Sequence, residues 1–142
     1  MGEIKNSSRI NNFQVMVLGI IFDPKERKIL IGRREKDPYL PGLTWTFSGG
    51  RLAQDGEINK TLKERIKAQT GLEVQNLGAV FSKTYEEKRD LLAIYFLCEA
   101  VGGKLKSGER FKEIKWVRPN EVEKYFKVSF HPRLKEYLIN LG

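Results

Sequence analysis

Between Phe47 and Val74 the chain reads FSGGRLAQDGEINKTLKERIKAQTGLEV. That stretch holds a glycine pair, Gly49-Gly50, an acidic turn, and then Glu57, Glu64, Arg65 and Gln69 within a segment able to form one helix. A glycine pair lets backbone amides approach an anion, although it also makes an ordinary turn after a strand. A guanidinium grips phosphate oxygens through two parallel N–H bonds and needs no metal to do so. Arg33, Arg34 and Arg51 flank the same segment and are further candidates for contacts to an anionic ligand. The chemistry addressed by these residue types is that of phosphates.

The spacing predicts a helix from about Gly56 to Thr70, with Asp55 as its N-cap, Glu57 at the positive end of its dipole and Gly71 as its left-handed stop. Ile58, Leu62 and Ile66 step one turn each and form the stripe that must face a core. At about 100° per residue, Arg65 and Gln69 fall beside that stripe, whereas Glu57 and Glu64 point away from it. Glu57 and Glu64 share a face but stand about 10 Å apart along the axis. They read as solvated helix charges, pairing with Lys60, Lys67 or Arg51. Arg65 has two readings: a phosphate contact, or an ion pair with Asp55, Glu113 or a strand acid.

The surrounding elements follow from periodicity and punctuation. Residues 1–12 read as a polar leader, and 13–142 as one domain. Phe13–Phe22 reads as a strand buried on both faces, then a turn with Pro24 at its first corner, then the strand ILIGRRE, the two strands forming a hairpin. Lys36–Thr44 is a loop, because Pro38 and Pro41 cannot sit in a paired central strand. WTF is a short strand with Trp45 and Phe47 on one face, ended by Gly49-Gly50. Val74–Tyr85 and Leu91–Ala100 make an antiparallel hairpin about the charged tip Glu86–Asp90. GGKLKSGERF is a loop, Glu113–Val117 a last strand, and two short helices follow, opened by Pro119 and by His131-Pro132. This order implies an α+β domain, an α/β sandwich with a mixed sheet packed between helices.

Composition narrows the classes. The formal net charge of +8 favours anionic partners or simply a soluble basic surface. The longest apolar run, near Val15–Phe22, is too short to span a bilayer, so no membrane role is expected. The single cysteine, Cys98, lies in an apolar run and reads as a buried thiol, which with the absence of a secretory pattern points to the cytoplasm. There is no Walker loop and no G-x-G-x-x-G after a strand.

Over nearly the whole length the chain resembles the Nudix hydrolases, through the strand ending RRE, the approach WTFSGGR, the helix ending TGLEV and the later EIKWVRPNEV. The resemblance implies cleavage of a nucleoside diphosphate linked to another moiety, with Mg²⁺ held by glutamates of a box G-x5-E-x7-R-E-U-x-E-E-x-G-U, where U is apolar. Magnesium demands carboxylates converging on one octahedron, which on a helix means acids one turn apart. Aligned on Thr70-Gly71-Leu72, the box places Glu64-Arg65 at its Arg-Glu, Ala68-Gln69 at its Glu-Glu and Gly56 at its first glutamate. Aligned on Glu57, the spacing to Arg65 is kept and Ile66, Ala68, Gln69 and Thr70 fill the remaining region. Both registers lack the metal-binding glutamates.

The leading expectation is therefore a Nudix-type protein that binds a nucleotide or another phosphorylated small molecule through Gly49, Gly50, Arg33, Arg34, Arg51, Arg65 and Gln69. Mg²⁺-dependent hydrolysis is expected to be lost or weak, and no cofactor is expected. The alternatives are a hydrolase with carboxylates from Glu57, Glu64, Glu113 or the 86–90 tip and Mg²⁺ as its cofactor, and a noncatalytic module binding RNA or a protein. A homodimer is compatible with each.

Overall fold

The computed structural model describes residues 12–37, 40 and 42–142. The leader over 1–12, apart from Asn12, and the loop prolines Pro38 and Pro41 lie outside the described residues. Among the described residues, seven strands and three helices follow in chain order: β1 Gln14–Asp23, β2 Lys28–Arg33, β3 Trp45–Thr46, β4 Ser48–Arg51, α1 Ile58–Thr70, β5 Leu72–Thr84, β6 Leu91–Gly103, β7 Glu113–Val117, α2 Val122–Tyr125 and α3 Pro132–Leu141. A single 3₁₀ turn, Pro119–Glu121, leads into α2.

β1 organises the sheet. Along one edge it runs parallel to β6, with Val17 opposite Ile94. Along the other it pairs antiparallel first with β4, through Met16–Gly19, and then with β2, through Phe22 and Asp23. β5 extends β6 outward, while β3 and β7 flank β2. The strand is buried on both faces, as its unbroken apolar run predicts. Met16, Leu18 and Ile20 join the larger core, beneath α2 and α3, whereas Val17 and Ile21 join the smaller one, beneath α1. This is the mixed sheet sandwiched between helices that the element order implies.

Three expectations about the site's framework need correction. Gly49-Gly50 does not end a strand: Phe47 interrupts the strand after Thr46, and the glycines lie inside β4. The reason is close approach, since a Cβ at Gly49 would stand 2.0 Å from the Val17 carbonyl oxygen of β1. The helix starts at Ile58, because the Gly56 amide closes a turn onto Ala53 O at 2.9 Å and Asp55 is spent inside that turn. Glu57 is the N-cap, its carboxylate accepting from the Asn59 amide at 3.1 Å and the Lys60 amide at 2.6 Å. The stripe is also shorter than expected: Leu62 and Ile66 are fully buried, but Ile58, at the first helical position, stays exposed.

The helix stop at Gly71 holds, with φ 77° and its amide bonded to Lys67 O. His131 caps α3 by accepting from the Arg133 amide. Cys98 is buried, and burial pushes its thiol up to about 12, so it is an inert core residue. At the hairpin tip the Glu87 carboxylate accepts from the Ser129 amide and hydroxyl, both at 2.7 Å, tying β5–β6 to the segment between α2 and α3.

Candidate active site

Gln69 fixes the junction between α1 and β4. It is buried on the last turn of the helix, and its side-chain oxygen accepts from Ser48 Oγ at 2.7 Å and from the Gly49 amide at 2.9 Å. Its Nε2 donates to the Gly49 carbonyl at 2.9 Å. The amide thus satisfies both backbone groups of one glycine, which only a side chain with a donor and an acceptor can do.

Over this junction lies a half-open cleft of about 190 Å³. Gly49 and Gly50 line it from β4, Arg65 and Gln69 from α1, and Met16 from β1. Arg34, Arg51 and Arg110 complete the basic wall, and among the described residues Glu109 is the single acid lining it. Gly50 matters for space: a Cβ there would come within 3.1 Å of the Arg65 side chain. Arg34 is 6% exposed, lies near Asp37 at 3.8 Å, and also lines an inner recess of only about 10 Å³ walled by Phe47, Tyr85 and Leu43. The inner recess is therefore too small for a nucleobase.

The structure brings Arg34, Gly49, Gly50, Arg51, Arg65 and Gln69 together and leaves the other candidates elsewhere. Arg33 and Glu113 are register partners across β2 and β7 and pair with each other at 3.2 Å, away from the cleft. Glu57 is engaged in capping. Glu64 is exposed and borders a separate surface depression with Lys63, Lys67 and Glu73. Arg65 does form an ion pair, but with Glu109 and not with Asp55, Glu113 or a strand acid. Glu109, 44 residues beyond Arg65, and Arg110 after it were not legible in the sequence because they sit in a distant loop. The available signal is the charged pair between Gly108 and Phe111, an aromatic that is buried.

The capping role of Glu57 has a direct test. Glu57→Ala should cost about 1 kcal/mol of stability by urea unfolding, with no change in ligand affinity. A catalytic Glu57 would instead lose function at unchanged stability.

A family model described as NUDIX domain matches residues 12–138, and the chain belongs to that family. An ADP-ribose pyrophosphatase of Methanocaldococcus jannaschii is 30% identical over 113 residues, covering 78% of this chain but 64% of that relative's own length. An 8-oxo-dGTP diphosphatase of Buchnera aphidicola is 29% identical over 111 residues, 78% of this chain and 81% of the relative. The crystal structure of a NUDIX hydrolase from Nitrosomonas europaea superposes with a TM-score of 0.70 at 18% identity, covering 89% of this chain and 70% of that one.

Proposed function

We propose that the cleft binds the phosphates of a nucleotide or nucleoside-diphosphate derivative without Mg²⁺, and that pyrophosphohydrolase activity is lost or weak. The observation that carries this reading is a wall of four arginines, Arg34, Arg51, Arg65 and Arg110, around the glycine backbone of β4. Guanidinium groups in a recessed site attract phosphate by charge and by bidentate geometry together. A half-open cavity of about 190 Å³ suits a diphosphate group, with the nucleoside lying at the mouth. The names of the two relatives support the ligand class, since each is a nucleotide derivative with a phosphoanhydride bond.

The donor set does not suit Mg²⁺. A magnesium site needs several hard oxygens converging at about 2.0–2.1 Å. At positions 65, 68 and 69 stand a cation, a methyl group and a neutral amide already bonded at both ends. Among the described residues, no group of three or more His, Cys, Asp or Glu side chains is placed to hold a metal.

Calorimetric titration of ADP-ribose and ADP in the presence of EDTA is expected to show saturable binding. At a hundredfold excess over Kd the ligand should add about 2.7 kcal/mol of stability, read as a rise in Tm. Binding or stabilisation that appears only with Mg²⁺ would overturn the metal-free reading. The relatives' names also favour a second reading, hydrolysis. Release of phosphate-containing products from ADP-ribose or 8-oxo-dGTP with Mg²⁺ or Mn²⁺, abolished by chelation, would establish it.

A further inference from the structure

Among the described residues, the one carboxylate lining the cleft is paired with the arginine in its wall that α1 supplies: Glu109 accepts from the Arg65 guanidinium. Nothing in local preference puts it there. Glu109 has φ 46°, in the left-handed region that a residue with a Cβ seldom adopts. Such a conformation persists only where its surroundings over-determine it. Here they do. The Gly108 amide donates to Gln69 O at 2.9 Å, and the Phe111 amide closes the turn onto Gly108 O at 3.0 Å. Ser107 Oγ donates to Phe111 O at 3.3 Å. The Phe111 ring, 4% exposed, is seated on Gly32, where a Cβ would come within 2.3 Å of it. With Gly108 and Phe111 held, the strained residue between them delivers its carboxylate to Arg65.

We propose that Glu109 is an internal anion occupying the phosphate seat on Arg65, so that the cleft admits only ligands bringing more than one negative charge. The proposal rests on the reading of the cleft as a phosphate site. Every ligand must first break the Glu109–Arg65 pair. A phosphodiester, with one charge per phosphate, merely replaces one ion pair by another, and it competes against a carboxylate tethered at an effective concentration on the order of millimolar or above. A diphosphate, even one esterified at both ends, carries at least two charges and can meet Arg51 or Arg110 as well as Arg65. It therefore recovers the broken pair with contacts to spare. The ligand class selected is a diphosphate, free or esterified at one or both ends, and an isolated phosphodiester, the unit of a nucleic-acid backbone, is rejected at this cleft.

The test is calorimetric titration of inorganic pyrophosphate and of dimethyl phosphate into the whole chain in EDTA. Wild type, Glu109→Gln, Arg65→Gln and the double variant are compared, with Glu109→Gly as a second replacement that relaxes the positive φ. Pyrophosphate is expected to bind wild type and to bind both Glu109 variants on the order of fivefold more tightly. That gain should vanish in the Arg65→Gln background, because the two residues act through one pair. Dimethyl phosphate should bind measurably only when Glu109 is replaced. Equal pyrophosphate affinity in wild type and the Glu109 variants overturns the internal anion and leaves the phosphate site standing. Weaker binding in both variants overturns it too, making Glu109 a support that holds Arg65 in place. Absence of pyrophosphate binding in every protein overturns the phosphate site itself, and the internal anion with it.

Discussion

Arg65→Glu should abolish metal-independent binding of ADP-ribose, weakening it by on the order of a hundredfold or more. The substitution removes a charge-assisted contact, worth about 1.5–3 kcal/mol when made to a charged group, and adds a repulsive carboxylate where the phosphate would sit. It also places that carboxylate beside Glu109, the partner of Arg65. Arg65→Gln removes attraction without adding repulsion and should lie between, at roughly tenfold. Fold stability should barely move, since the Arg65 side chain keeps 34% exposure and a pair at that exposure contributes little. Titration in EDTA decides it. An affinity unchanged in Arg65→Glu would mean that Arg65 serves Glu109 alone.

Gln69→Leu should be the most damaging single change to the framework of the cleft. It removes the Gln69 partner of three groups, Ser48 Oγ and the amide and carbonyl of Gly49. At roughly 1 kcal/mol or more for each buried group left unsatisfied, the loss is about 3 kcal/mol, or about 10 °C in Tm for a domain of this size. Gln69→Glu is the sharper probe because it alters one end of the side chain only. The introduced carboxylate still accepts from Ser48 and from the Gly49 amide, but its second oxygen faces the Gly49 carbonyl, to which Nε2 now donates at 2.9 Å. Only the protonated acid can restore that bond, so its folded pKa lies above the unfolded value of about 4.3. The variant should therefore approach wild-type stability below about pH 4.3 and lose stability as pH rises through the folded pKa. A denaturation midpoint for Gln69→Glu that follows wild type from pH 4 to pH 8 would show that residue 69 is free to turn outward.

What the sequence made legible was whatever depends on near neighbours. The helix stop at Gly71, the cap at His131, the buried Cys98, the long β5–β6 hairpin and the two buried faces of β1 all follow from spacing and residue type. The start of α1 was displaced by one competing local choice, the Ala53–Gly56 turn, which consumed Asp55 and left Glu57 to cap. The cleft itself was half legible. Arg65, Gln69 and the glycine pair lie within one continuous stretch, so their convergence needed only a strand, a turn and a helix. Arg33 and Arg34 could not be sorted without the register of β2 against β7, which gives Arg33 to Glu113. Glu109 depends on a contact across 44 residues and on an unusual backbone angle, neither of which residue type announces.

The parallel ladder between β1 and β6 has a consequence for how the chain is made. All eight register partners of β1 on that edge lie between Leu91 and Cys98. A ribosome therefore releases most of the basic wall, Arg34, Arg51 and Arg65, long before it releases the strand that pairs this edge of β1. Until Cys98 emerges, β1 exposes an apolar edge with nothing to pair it, and closing so long a loop is slow. Glu109 follows later still. The elements that carry Arg34, Arg51 and Arg65 are thus complete before the loop that carries their internal anion has been made.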